Sequence, residues 1–138
     1  MDTLSRPIGD LITGRIVDTL PTTTLRDAAV LLDEEAVGAL LVDDPRGVLG
    51  IVTERDLIRA MADGVDIDDT RVDEYLTDHL LTVESSDTMF DVLQAMRGNA
   101  VRHIVVRDDE GRVTGVVSMR GLVDELLGAV VTAPAPAA

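Results

Sequence analysis

Gly50-Ile51-Val52-Thr53-Glu54-Arg55-Asp56-Leu57 reads as a short apolar strand that runs straight into a helix. Thr53 stands at the junction and Asp56 follows three residues on. A hydroxyl at the cap and an acid at the third helical position suit a helix start, where backbone N–H groups lack partners and the dipole favours acceptors. The same start is also a place for an anionic ligand. The pattern returns as Gly115-Val116-Val117-Ser118-Met119-Arg120-Gly121-Leu122, with one change that matters: Asp56 becomes Gly121.

On either side of this stretch the chain repeats as well. Ile8, Leu11 and Ile12 have helical spacing, and Arg15 to Leu20 reads as a strand stopped by Pro21. Thr22-Thr23-Thr24 offers caps for a helix that carries Leu25, Ala28, Ala29 and Leu32 on one face and runs to about Glu35. Val37 to Val42 is apolar enough for a strand covered on both faces. Asp43-Asp44-Pro45-Arg46-Gly47 is a turn by composition, and Val48 to Val52 is the next strand. The helix after Thr53 is expected to bury Leu57, Ile58 and Met61 and to end at Gly64.

The second copy follows the first closely. Val72 and Leu76 match Ile8 and Ile12, and Leu80-Leu81-Thr82-Val83 matches Ile16-Val17-Asp18-Thr19. Thr88, Met89, Val92, Leu93 and Met96 match Thr24, Leu25, Ala28, Ala29 and Leu32. Val101 to Val106 matches Val37 to Val42, and Asp108-Asp109-Glu110-Gly111 repeats the turn. The last helix carries Leu122, Val123, Leu126 and Leu127, with Gly128 after it. The reading is α+β, with one strand-helix-strand-strand-helix repeat at 8–64 and another at 72–128. Residues 1–7 read as a loose leader, 66–71 as a polar linker and 129–138, rich in Ala, Val and Pro, as a disordered tail. A repeat of roughly 60 residues cannot cover both faces of its own sheet. The two are therefore expected to pack sheet to sheet about a pseudo-two-fold axis.

Composition narrows the function. Apolar residues make up 46% of 138, yet there is one Phe, one Tyr and no Trp. The core must be aliphatic, and a stacking surface for single-stranded nucleic acid is excluded. A net charge of −14 without a basic cluster excludes a phosphate-backbone partner. All 12 cations are Arg, which fits anion recognition but which codon bias explains better. There is no Cys, so disulfides and thiolate metal sites are absent. No apolar run approaches the roughly 20 residues of a membrane span, and the start has no signal pattern. A cytoplasmic protein is expected.

The unit of strand, helix, apolar strand, acidic turn with Gly, and G-h-h-[ST]-x-x-[DG]-L helix, present twice over residues 8–128, resembles the tandem cystathionine-β-synthase (CBS) domain pair, or Bateman module. Ile51-Val52-Thr53-Glu54-Arg55-Asp56-Leu57 and Val101-Arg102-His103-Ile104-Val105-Val106 are its most specific pieces. The family's usual Pro in the apolar strand is replaced by Leu41 and Val105. The resemblance implies adenosine-nucleotide binding (AMP, ADP, ATP or S-adenosylmethionine) in clefts between the repeats, with an acid on the ribose, aliphatic groups on the adenine and cations on the phosphates. It also implies a flat homodimer formed through helices, for which Leu25, Ala28, Leu57, Met61, Met96, Leu122 and Leu126 are candidates.

Carried over residue by residue, that expectation is lopsided. One cleft would combine Thr53 and Asp56 with Thr82, Val83, Val101, Arg102, His103 and Ile104, and lacks nothing. The other would combine Ser118 and Gly121 with Asp18, Thr19, Val37, Gly38, Ala39 and Leu40. It lacks the ribose acid, the first-strand Thr and the basic pair, and Asp18 would repel phosphate.

Each feature has a plainer reading. Thr53-x-x-Asp56 is also a helix cap worth about 1 kcal/mol without any ligand. Arg102 and His103 point to opposite faces of a strand, so one of them is a surface or interface residue; Arg102 is the better phosphate contact. His79 and His103 have no partner at metal-ligand spacing, and no metal is expected. No nucleophile-base signature or P-loop is present, so no enzyme activity is expected. The chain reads as a regulatory sensor module for an adenine nucleotide, a homodimer that acts on an unidentified regulated protein. The rival reading is a ligand-free scaffold for dimerisation or docking.

Overall fold

Thr24 and Thr88 set the phase of the two halves. Each caps a helix, α2 (Leu25–Glu35) and α4 (Met89–Asn99), by accepting from the backbone N–H three residues on, Asp27 and Asp91. The computed structural model describes residues 2–12 and 16–131. The remaining elements are α1 (Ile8–Leu11), β1 (Asp18–Thr19), β2 (Ala39–Asp44), β3 (Gly47–Thr53), α3 (Glu54–Asp63), β4 (Thr82–Glu84), β5 (His103–Arg107), β6 (Val113–Ser118) and α5 (Met119–Val131). The fold is α+β with two three-stranded sheets, ordered β1-β2-β3 and β4-β5-β6. In each, the first strand pairs parallel with the second and the second antiparallel with the third. Each sheet shifts register at the same place, Val42/Asp43 and Val106/Arg107. Among the described residues no helix is long and apolar enough to cross a membrane.

Three helices end the same way, two of them without glycine. Ala36 and Ala100 adopt φ of 54° and 52°, and Gly64 adopts 73°. The following N–H reaches back to the carbonyl five residues earlier: Val37 to Leu32, Val101 to Met96 and Val65 to Ala60. This is the Schellman arrangement, with its apolar contact across the turn. An alanine with positive φ is strained by about 1 kcal/mol.

The chain divides into two compact units that do not coincide with the sequence repeats. One comprises residues 16–80; the other joins 2–12 to 81–131. The lead segment of each repeat thus packs with the strands and helices of the other. Ile8 N–H donates to Asp87, Gly9 to Ser85, and Met89 to Arg6, at 2.7, 2.9 and 3.0 Å. At matched positions Val72 donates to Thr23, Asp73 to Pro21, and Leu25 to Thr70. Each unit has its own aliphatic core. One gathers Leu25, Ala28, Leu32, Leu40, Val42, Val52, Ala60 and Val72. The other gathers Ile8, Leu11, Met89, Val92, Met96, Ile104, Val106, Val117 and Leu122.

Several expectations need correction. The leader is not loose: Asp2 caps a 3-10 turn at Thr3–Ser5, and Pro7 bridges to Thr88. The 66–71 stretch is not a free linker. Asp66 turns the chain, Ile67 accepts from Arg26 N–H and packs on the core, and Asp68 pairs with Arg26. That pairing holds the Asp68 carboxyl below its ordinary range. α5 continues through Gly128 to Val131; residues 132–138 of the expected tail, and Arg15 of the expected first strand, lie outside the described residues. α3 buries Asp56 and Ala60, with Leu57 half-buried, while Ile58 and Met61 are 64% and 71% exposed. The inward stripe of α3 therefore includes a carboxylate, which apolar periodicity alone does not register.

Candidate functional site

Strand β3 delivers Thr53 to the head of α3, where its side-chain oxygen accepts from Asp56 N–H at 3.2 Å. The Asp56 carboxylate turns back to accept from Thr53 N–H at 2.9 Å and from the Thr53 hydroxyl at 3.1 Å, both on Oδ2. This reciprocal capping box satisfies donors that the helix leaves unpaired. On Oδ1 the carboxylate accepts from Arg59 at 3.0 Å and from the Thr77 hydroxyl at 3.5 Å. Asp56 is only 3% exposed and is the single buried charged residue among those described. A buried carboxylate needs such partners, since desolvation without them is costly.

A glycine makes room for part of this arrangement. Thr77 pairs with Ile51 by two backbone hydrogen bonds, of 2.8 and 3.0 Å. A Cβ at Gly50 would overlap the Thr77 carbonyl oxygen. Gly115, the matched glycine, faces only the Ile12 side chain, which a Cβ would meet at 3.0 Å. The glycine that opens the repeated motif is therefore a crossing point for the segment that leads into the other repeat.

The sequence missed Arg59, Tyr75 and Thr77. Arg59 lies one turn after Asp56, a spacing at which opposite charges meet on a helix, so it was legible. Tyr75 and Thr77 carry no local signal; only the path of the chain brings them to α3.

The other expected residues belong to the second unit. Thr82 is exposed on β4, opposite Val105, and Val83 is half-buried against the core. Val101 closes the α4 turn. Arg102 is exposed, and its carbonyl accepts from Met119 N–H at 2.8 Å, which ties it to the head of α5. His103, half-buried, opens β5 opposite Ser118. Ile104 is fully buried in the core of its own unit. Thr53 and Asp56 are thus brought together in one unit, and residues 101–104 in the other.

At the head of α5 the Ser118 hydroxyl accepts from Gly121 N–H at 2.9 Å. No acid follows. A hollow of about 310 Å³ lies there, bordered by Ile12, Ser118, Gly121, Asp124 and Glu125. The acids are one turn further along, and Asp124 stands where Arg59 stands in the first copy. Asp18, expected at this poorer cleft, sits beside Asp43. Burial, then the charge of Asp18 and a hydrogen bond shared with it, push the Asp43 carboxyl above its ordinary range. The matched positions in the other unit are Thr82 and Arg107. Among the described residues no group of three or more His, Cys, Asp or Glu is placed to share a metal ion.

Comparison with known proteins agrees with this construction. The family model described as CBS domain matches residues 8–63 and 72–128. An uncharacterized 17.7 kDa protein of Acidianus ambivalens is 32% identical over 125 residues, which is 90% of this chain and 75% of that protein. Three further relatives are longer, and the chain spans 60%, 44% and 40% of them. A CBS-domain containing protein of Agrobacterium tumefaciens superposes with a TM-score of 0.78 at 32% identity, over 85% of this chain and 90% of that one. A CBS domain protein of Pyrobaculum aerophilum, complexed with AMP, gives a TM-score of 0.78 at 28% identity over 93% and 100%. With both repeats matched and their elements laid out alike, the chain belongs to the CBS domain family, as a tandem pair.

Proposed function

We propose that this CBS pair is a regulatory module that binds an adenosine nucleotide in one cleft, with no catalytic step of its own. Asp56 and Thr53 hold the ribose; Thr82, Val83, Val101 and the Ile104 backbone line the adenine; Arg102, with His103 beside it, meets the phosphates. One observation carries the reading: a buried carboxylate at a helix head in one repeat, absent from the same place in the other. The complex of the Pyrobaculum relative with AMP supports the ligand class. AMP, ADP, ATP and S-adenosylmethionine are the compounds to compare.

A thermal-shift panel tests it. A ligand at 100 times its Kd adds about 2.7 kcal/mol and raises Tm by several degrees. No shift with any adenosine compound at millimolar concentration refutes the reading. Asp56→Ala should abolish the shift. It should also cost about 1–2 kcal/mol of stability, because the capping box and an ion pair go with it. Arg102→Ala should weaken ATP and ADP more than adenosine.

A second reading rests on the outward apolar side chains of α3 and α5. Ile58, Met61, Val123 and Leu127 are exposed, whereas Leu25, Ala28, Met96 and Leu122 are buried in their own units and Leu57 and Leu126 half-buried. Such helix faces suit pairing of two copies, or docking without any ligand. Sedimentation of the wild type against Ile58→Glu with Met61→Glu separates a dimer from a monomer; ligand-independent pairing without any thermal shift favours the scaffold.

A further inference from the structure

We propose that Arg59 is a latch on the sugar site, and that a ligand diol which takes Asp56 must displace Arg59 and the Thr77 hydroxyl, loosening the hold of α3 on residues 75–77. The inference rests on the ribose role given to Asp56 above and concerns how that site is regulated.

The argument is one of capacity. A carboxylate has about four lone-pair positions, and Asp56 already accepts from four donors. The two from Thr53 belong to the helix cap and cannot leave without uncapping α3. The two on Oδ1 differ. The Thr77 hydroxyl is distant at 3.5 Å, and the Arg59 side chain is 56% exposed, so its guanidinium moves into water easily. A pair of neighbouring ligand hydroxyls therefore enters on Oδ1.

Arg59 does more than neutralise Asp56. It donates to the Tyr75 carbonyl at 3.2 Å and lies 5.8 Å from the centre of the Tyr75 ring. The Tyr75 hydroxyl donates in turn to Asp63, at the end of the same helix, at 2.7 Å. Residues 75–77 are thus clasped to α3 through Arg59 and Asp63 and to β3 through Thr77. They are the last packed stretch before the chain passes into the other unit after Leu80. Opening the clasp changes the restraint on that connection, which is where a regulatory module needs its signal.

Two measurements decide the proposal. In the free protein, Arg59→Gln should speed hydrogen exchange at the Leu76 and Thr77 amides severalfold, and Arg59→Lys should restore part of the protection. Unchanged exchange refutes the latch. In titrations, Arg59→Gln should bind adenosine and AMP more tightly by a similar factor, on the order of 3–10, since a competitor for the sugar site is gone. 2′,3′-Dideoxyadenosine, which lacks the diol, should show no gain. Equal or weaker binding of adenosine by the variant refutes the competition, and a loss confined to AMP makes Arg59 a phosphate contact instead. If the wild type binds neither compound while exchange still responds, the nucleotide reading fails and Arg59 is a structural clasp only.

Discussion

At the head of α3 a buried carboxylate closes a capping box and holds an arginine; at the head of α5 the same place is a glycine beside a hollow. Both helices form. The Ser118 hydroxyl caps α5 without an acid, and α5 is the longer of the two. The acid is therefore not needed to begin a helix, and its presence in one copy calls for another reason. The same asymmetry runs through the sheets. The unit with the carboxylate at its helix head has Asp18 and Asp43 at the positions where the other has Thr82 and Arg107. The first repeat thus carries a buried carboxylate and an acidic sheet end, where the second carries a glycine, a hydroxyl and a cation.

The largest test of the comparison is steric. Gly50→Ala would push a methyl group into the Thr77 backbone and should cost about 3 kcal/mol, whereas Gly115→Ala displaces only the Ile12 side chain and should cost about 1 kcal/mol or less. Thermal unfolding of the two variants measures the gap, and equal losses would mean that the two crossings are equivalent. A smaller effect comes from restoring the missing acid. In Gly121→Asp the new Cβ would meet the Ser118 hydroxyl at 3.2 Å. Thr53 and Asp56 form the capping box at the matched place, so the variant should gain about 1 kcal/mol from helix propensity and the cap. If it also creates a second nucleotide site in a titration, the acid alone separates the two clefts; if it does not, the sheet-end charges matter too.

The smallest effect is one of pH. Asp43 has a folded pKa above its unfolded value of 3.8. Its folded state holds the proton more tightly, so its contribution is fully present below about pH 4 and is lost as pH rises through the folded pKa. Asp43→Asn should therefore raise Tm at neutral pH, with the gain vanishing in acid. A gain that persists in acid would point to packing rather than charge.

Much of the site was legible. The Thr53-x-x-Asp56 spacing marks both the cap and the carboxylate, and it forms as expected because its hydrogen bonds close within one turn. Strands β2, β3 and β5 and the end of α2 lie within two residues of where periodicity puts them, whereas β1 is only Asp18–Thr19 of the expected 15–20; the αL residues Ala36 and Ala100 that close α2 and α4 carry no local signal. Ile58 and Met61 were misread, since apolar spacing assigns a face without saying whether a neighbour covers it. The pairing of Asp56 with Thr77, and the role of Gly50, had no trace in the local pattern.

The sequence by itself determined the two repeats, their helix starts and ends, and which copy keeps the acid, because these depend on bonds between residues three to five apart. Only the tertiary structure decided that each lead segment joins the other repeat's core, that Thr77 crosses Gly50, and that Arg59 occupies Asp56. Those contacts join elements distant along the chain, and their choice rests on which apolar faces remain to be covered once the local structure is made.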